Sequence, residues 1–336
     1  MFDGWFRSKD MMNAISHMIG INKKLCDLKT ESVAEIAVFA EGESMYRARK
    51  SSKLATVVLS DIRRTLAECG APYDIYSISD LRLDSINKYK LYIFVNQYDL
   101  SEENKKLISE KCKAHGKSVL WLYGADYVNG GKAGSLNVTK ITGINISESD
   151  KSHGGVVYDN KTTVYKTAAP YFEIKDDNAS PIAFFEDGTV SAAYKETNGF
   201  KSFYVATLRH IAKLSGVFVY SRSNNVYVYP NSAFVGVYNA TGTEAIISMK
   251  QDRIYKDMIG GEIYTCKNGK ISLPHKEINA FALAARSVDR VRLSDGFRYE
   301  GTSKKQTIVD FTENGVTYQL WATHGYGKNE ISSKVL

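Results

Sequence analysis

Leu91-Tyr92-Ile93-Phe94-Val95 and Val119-Leu120-Trp121-Leu122-Tyr123 are the stretches on which the fold turns. Both are continuous apolar runs, too short for a buried helix and without polar alternation, so they predict strands covered on both faces. Between them Ser101 opens a helix. Glu102 and Glu103 stand in its first turn, where carboxylates complement the dipole, and Gly116 closes it. Towards the N-terminus, the run 33–40 and Tyr73-Asp74-Ile75-Tyr76 predict two more strands. Leu54, Val58, Ile62 and Leu66 recur every four residues, marking a helix opened at Ser51 or Ser52 and stopped at Gly70. Ser8 caps an earlier helix running to about Leu28, with Met11, Ile15, Met18, Ile19 and Leu25 along it. Strand alternating with helix predicts an α/β fold: a mostly parallel sheet with helices on both faces.

Over 124–177 the pattern loosens into Gly-, Ser- and Asn-rich loops. Residues 181–185 and 189–194 read as two strands about the turn Glu186-Asp187-Gly188, and 202–215 as a helix ended by Gly216. After Gly216 short strands recur at 217–220, 226–229, 233–238, 244–249, 262–265, 270–273 and 278–283, which predicts a small antiparallel β-sandwich. Residues 297–300, 307–311 and 316–321 are further strand candidates. The expected organisation is a linker helix (1–30), an α/β domain (31–216), a small β-sandwich (217–285) and a β-rich extension (286–336).

The composition is that of an ordinary globular chain. Of 336 residues, 43% are apolar and 24% charged, which excludes a disordered chain and a disulfide scaffold. Forty-four Lys and Arg against 37 Asp and Glu leave +7, spread without a run of like charges. That describes a solvated surface, and no nucleic-acid partner is expected. No apolar run is long enough to cross a membrane, and no basic segment followed by an apolar one marks a signal peptide. The four cysteines contain no Cys-x-x-Cys pair, so reduced thiols, a cytoplasmic location and no metal are expected. The 22 tyrosines against 5 prolines point to extensive β-structure.

Doubly wound sheets bind ligands beyond the C-terminal ends of their strands. Here that segment is Tyr123-Gly124-Ala125-Asp126-Tyr127, followed by Gly130-Gly131-Lys132. A phosphate loop needs a glycine and a hydroxyl residue where Asp126 and Ala133 stand, and no Gly-x-Gly-x-x-Gly follows a strand, so no cofactor is expected. A nucleophile elbow would place Ser or Cys on this turn, which has neither. Cys112 and His115 lie on the preceding helix, and the six histidines form no metal pattern. No catalytic residue is assigned.

Several stretches carry a family resemblance in collinear order: Asp3-Gly4-Trp5-Phe6; Ser32 through Phe39; Gly70-Ala71-Pro72-Tyr73-Asp74-Ile75-Tyr76; Tyr89 through Asn96; Leu120-Trp121-Leu122-Tyr123; and Leu208-Arg209-His210-Ile211-Ala212 before Gly216. Over about residues 1–284 the chain resembles the part of family 42 β-galactosidase-like glycoside hydrolases that follows the catalytic barrel. That part comprises an amidotransferase-like (flavodoxin-like) trimerisation domain and a small β-sandwich. The resemblance implies a non-catalytic assembly or accessory region, a fragment lacking the barrel and its catalytic carboxylates. It also implies homo-oligomers or a catalytic barrel as partners, with carbohydrate as the ligand. It makes Asp3 and Trp5, with Tyr123 and Asp126 on the turn, the candidate substrate-binding residues. A stand-alone hydrolase or amidotransferase-like enzyme and a carbohydrate-binding module are the alternatives.

Overall fold

The structure is a computed structural model. It describes residues 9–26, 28–47, 62–153, 155–164, 169–205, 212–276, 280–285, 306–313, 316–325 and 328–335. The chain divides into two compact units, 31–232 and 1–30 together with 233–336.

The 31–232 unit is built on a mixed nine-stranded sheet. Its parallel part comprises β1 (Ile36–Phe39), β2 (Tyr73–Tyr76), β3 (Leu91–Phe94), β4 (Ser118–Trp121) and β5 (Phe200–Tyr204), in the order β2-β1-β3-β4-β5. Beyond β5 the sheet continues antiparallel through Val190–Thr197, Ser180–Phe185, Gly155–Tyr158 and Lys161–Val164. β1, β3 and β4 are buried at every position, as continuous apolar runs require.

Alternate residues of these strands feed two cores. On one face Ala37, Phe39, Tyr92, Phe94, Val119, Trp121 and Tyr204 pack against Ile108 of α3 (Glu102–Lys111) and Val138 and Ile141 of α4 (Ser135–Thr142). On the other, Ile36, Val38, Leu91, Ile93, Leu120 and Phe203 meet Leu66 of α2 (Ile62–Ala67). Helices therefore cover both faces. The first core is tied laterally by an aromatic stack: Phe39 on Phe94 at 5.0 Å and Phe94 on Trp121 at 4.7 Å between centroids. Ser101 caps α3, its Oγ accepting from the Asn104 backbone N–H at 3.2 Å.

Several expectations need correction. Ser202–Tyr204, read as the start of a helix, belongs to β5, which pairs with β4 across a long sequence gap; 206–211 lie outside the described residues. Val217–Tyr220 is not a strand. Its Phe218 N–H donates to the Glu35 carboxylate and its Tyr220 N–H to the Gly70 carbonyl, so its backbone bonds go to side chain and turn instead of a ladder. The stretch 124–177, read as loops, contains α4, a ladder of Ile146–Ser149 with Tyr171–Ile174, and the hairpin 155–164. That hairpin turns at Asp159 and Asn160, both at positive φ. The helix expected at 51–70 is described only over α2, and Ser8 lies outside the described residues.

In the second unit α1 spans Lys9–Cys26. Phe234–Asn239, Ala280–Ala285, Ile254–Asp257 and Ile263–Thr265 pair successively antiparallel. Ala245–Ser248 pairs with Lys270–Leu273, and Gln306–Glu313, Val316–Gly325 and Lys328–Val335 form a third antiparallel sheet. Among the described residues no helix is long and apolar enough to cross a membrane.

Gly70 and Gly143 separate two costs of a side chain. Both have positive φ, +71° and +75°. A methyl at Gly143 meets open space, whereas one at Gly70 would collide with the Ser221 carbonyl oxygen. Gly143→Ala should lose only the left-handed penalty of about 1–2 kcal/mol. Gly70→Ala should lose more than about 3 kcal/mol, because backbone must move. Urea unfolding reads both; equal losses would contradict the packing at Gly70.

Candidate functional site

The C-terminal ends of β1, β3 and β4 meet where such sheets bind their ligands. Immediately past β4, Tyr123 takes a left-handed conformation, φ 57°, and Asp126 another, φ 54°. A bulky residue at positive φ is rare and costs backbone energy. A left-handed residue directly after a central strand is also the place a nucleophile elbow gives its nucleophile. Here a tyrosine holds that backbone conformation, and the chain runs on into the short strands Val128–Asn129 and Lys132–Ala133 before the helix at Ser135.

Tyr123 is half-buried. Its ring meets Tyr98 and Phe172 edge-to-face at 6.1 and 5.2 Å, and its hydroxyl donates to the Pro170 carbonyl at 2.9 Å. Burial, then the neighbouring Tyr98 and Tyr127, push its hydroxyl far above the ordinary tyrosine value, so it stays protonated. At the next position a methyl on Gly124 would crowd Tyr127 Cβ at 3.3 Å and the Phe172 ring at 3.6 Å.

Asp126 is buried. Its Oδ1 accepts from the Leu100 N–H at 3.0 Å, and its Oδ2 takes Lys105 Nζ at 2.9 Å and Asn129 Nδ2 at 3.2 Å. Burial pushes its carboxyl up, and the Lys105 and Leu100 hydrogen bonds oppose that rise. Lys105 also holds Glu102, one turn back on α3. The buried amides of the β3 end behave similarly. Asn96 accepts from the Glu41 N–H at 2.8 Å and donates to the Glu41 carbonyl, and Gln97 Nε2 donates to the Phe39 carbonyl at 3.0 Å. The Asp126 N–H closes the ring on the Gln97 carbonyl at 2.7 Å.

The structure thus brings Tyr123 and Asp126 to one turn, while Asp3 and Trp5 lie outside the described residues. Sequence reasoning missed Asn96, Gln97 and Lys105. Glu102 and Lys105 at i, i+3 were the available signal for Lys105; nothing local marks the two amides. Among the described residues no three His, Cys, Asp or Glu side chains converge as metal ligands. The four cysteines are free thiols. Cys112 is buried, and desolvation pushes its thiol up to about 12 against the opposing charges of Lys117, Lys113 and Lys111. Cys69 is buried and donates to the Ala71 carbonyl.

No protein-family model and no curated protein matches the chain. Solved structures do. The GH42 β-galactosidase Gan42B of G. stearothermophilus is similar over 82% of this chain and 42% of its own, at TM-score 0.57 and 17% identity. The β-galactosidase of Marinomonas ef1 matches over 81% and 42%, at TM-score 0.54 and 9% identity. The α-L-fucosidase isoenzyme 2 of Paenibacillus thiaminolyticus matches over 80% and 51%, at TM-score 0.50 and 11% identity. The likeness is one of fold, and the chain spans less than half the length of the two β-galactosidases.

Under native conditions an alkylating reagent should label Cys26, which is exposed, and spare Cys69, Cys112 and Cys266, which are buried. Mass spectrometry of the digested protein reads this. Rapid labelling of Cys112 would reveal an accessible thiolate and contradict the assignment of no nucleophile.

Proposed function

We propose that this chain is a non-catalytic accessory and assembly region acting with a β-galactosidase-like glycoside hydrolase. The observation that carries this reading is the filled turn after β4. The position where an elbow enzyme needs a nucleophile holds a protonated tyrosine committed to a backbone carbonyl. The surrounding buried polar groups, Asn96, Gln97 and Asp126, spend their hydrogen bonds on the protein's own loops.

The strand order β2-β1-β3-β4-β5 supports an amidotransferase-like, flavodoxin-like layout for the α/β unit. The fold likeness to family 42 β-galactosidases supports the link to carbohydrate-processing enzymes. Its partners on this reading are a catalytic barrel or further copies of itself. A stand-alone hydrolase or amidotransferase would need a different nucleophile from the one the turn offers.

Two measurements test it. The purified chain should show no turnover of aryl β-galactosides; activity that persists through purification would sink the accessory reading. For assembly, α1 leaves Met18 66% and Ile19 51% exposed, more apolar surface than a solvated helix presents. Sedimentation velocity should find wild type self-associated and Met18→Asp shifted towards monomer with an unchanged circular dichroism spectrum. A monomeric wild type at micromolar concentration contradicts self-assembly through this helix.

A further inference from the structure

His153, Glu173 and Asp187 form a tight ionisable group away from the β4 turn. His153 follows the strand Ile146–Ser149, is buried, and stacks on Phe185 at 3.8 Å between centroids and 10° between planes. Its Nε2 lies 3.2 Å from Glu173 Oε1 and its Nδ1 3.6 Å from Asp187 Oδ2. The carboxylates come from different elements, Glu173 from the strand Tyr171–Ile174 and Asp187 from the turn between Ser180–Phe185 and Val190–Thr197.

Both carboxylates are held as anions. Ser149 Oγ donates to Glu173 Oε1 at 2.6 Å, and Lys175 Nζ stands 2.9 Å from Oε2; these two, then His153, hold the Glu173 carboxyl at about 2. The Thr189 N–H donates to Asp187 Oδ1 at 3.0 Å, with Lys151 Nζ 3.9 Å from Oδ2, and the Asp187 carboxyl also sits below its ordinary value.

A neutral imidazole has one N–H and one lone pair. Between two anions it can serve only one, and it turns a lone pair to the other. A doubly protonated ring donates to both. The two ring nitrogens point apart, so the carboxylates cannot converge on one metal ion. The two contacts are also unequal. The Glu173 side chain is 11% exposed and fixed by Ser149 and Lys175, whereas Asp187 is 38% exposed, with the longer contact and water in reach.

We propose that His153 is a pH-operated clasp. Doubly protonated, it bridges Glu173 to Asp187 and holds the 186–188 turn against the Tyr171–Ile174 strand; on losing a proton it keeps Glu173 and releases Asp187 and its turn. The clasp goes beyond the accessory reading and does not depend on it. It reaches the β4 turn structurally, since Phe172, beside Glu173 in the same strand, packs on the rings of Tyr123 and Tyr127. Its acid limit follows from Glu173. A carboxyl held at about 2 against an ordinary 4.5 contributes stability in full above the ordinary value and loses it as pH falls towards 2.

Hydrogen–deuterium exchange on the full chain tests the clasp, with rates corrected for intrinsic base catalysis. In wild type, exchange in segments 155–158 and 186–189 should be about tenfold faster at about pH 8 than at about pH 5. In His153→Gln and in Asp187→Asn that rise should vanish. Near-UV circular dichroism reports folding; if His153→Gln fails to fold, the exposed-turn variant Asp187→Asn decides alone. A wild-type profile without the rise, or a rise that survives in a folded variant, overturns the proposal.

Discussion

Asn96, Gln97 and Asp126, taken out of water at the carboxyl ends of β3 and β4, tie the loops after β1, β3 and β4 together through the partners they find. The buried Tyr98 hydroxyl and Trp121 Nε1 beside them find none among the described residues. An unpaired buried amide or carboxylate costs several kcal/mol by loss of hydration. Asn96, Gln97 and Asp126 are each almost fully buried. Each is paired with backbone from a neighbouring strand end, and Asp126 adds the Lys105 ammonium. The pairing staples the loops after three adjacent strands to one another. In a doubly wound sheet these loops ordinarily stand apart and admit a ligand. Here the hydrogen bonds of Asn96, Gln97 and Asp126 are made within the protein, by the same contacts that stabilise the turn.

Legibility in the sequence followed how locally each element is determined. β3 and β4 were readable because burial on both faces writes an uninterrupted apolar run, and α3 because Ser101 and its two glutamates mark a start. β5 was misread. Its Phe203 and Tyr204 point into opposite cores, and only the remote partners Ser118–Trp121 and Val190–Thr197 make it a strand. The strand Ile254–Asp257 went unseen because it ends on an aspartate. That carboxylate is buried only because the Ile259, Gly260 and Ala282 N–H groups converge on it. Of the site, Tyr123 and Asp126 could be placed on the turn from strand position alone. Their roles could not, since Pro170, Phe172 and Lys105 reach them through tertiary structure.

The fold likeness to glycoside hydrolases and the occupied turn are observations of different kinds. One concerns the path of the chain; the other concerns whether a reactive group is free to act. A fold hosts many chemistries, so the first alone would leave the question open. The second bears on one hydroxyl only, which is protonated and gives its hydrogen to the Pro170 carbonyl.

The left-handed backbone at Tyr123 bears on how such a scaffold could be engineered. The costly part of a nucleophile elbow is its backbone, and here the left-handed residue is packed through its own ring, against Tyr98 and Phe172. Replacing the ring by a small hydroxyl or thiol side chain would open space between two aromatic rings and at the same time give up the contacts that pack the turn. Position 124 offers no such opening, because its neighbours leave no room for a β-carbon without moving Tyr127. A designer seeking catalysis from this scaffold would therefore start at residue 123 and first supply new packing to hold its backbone.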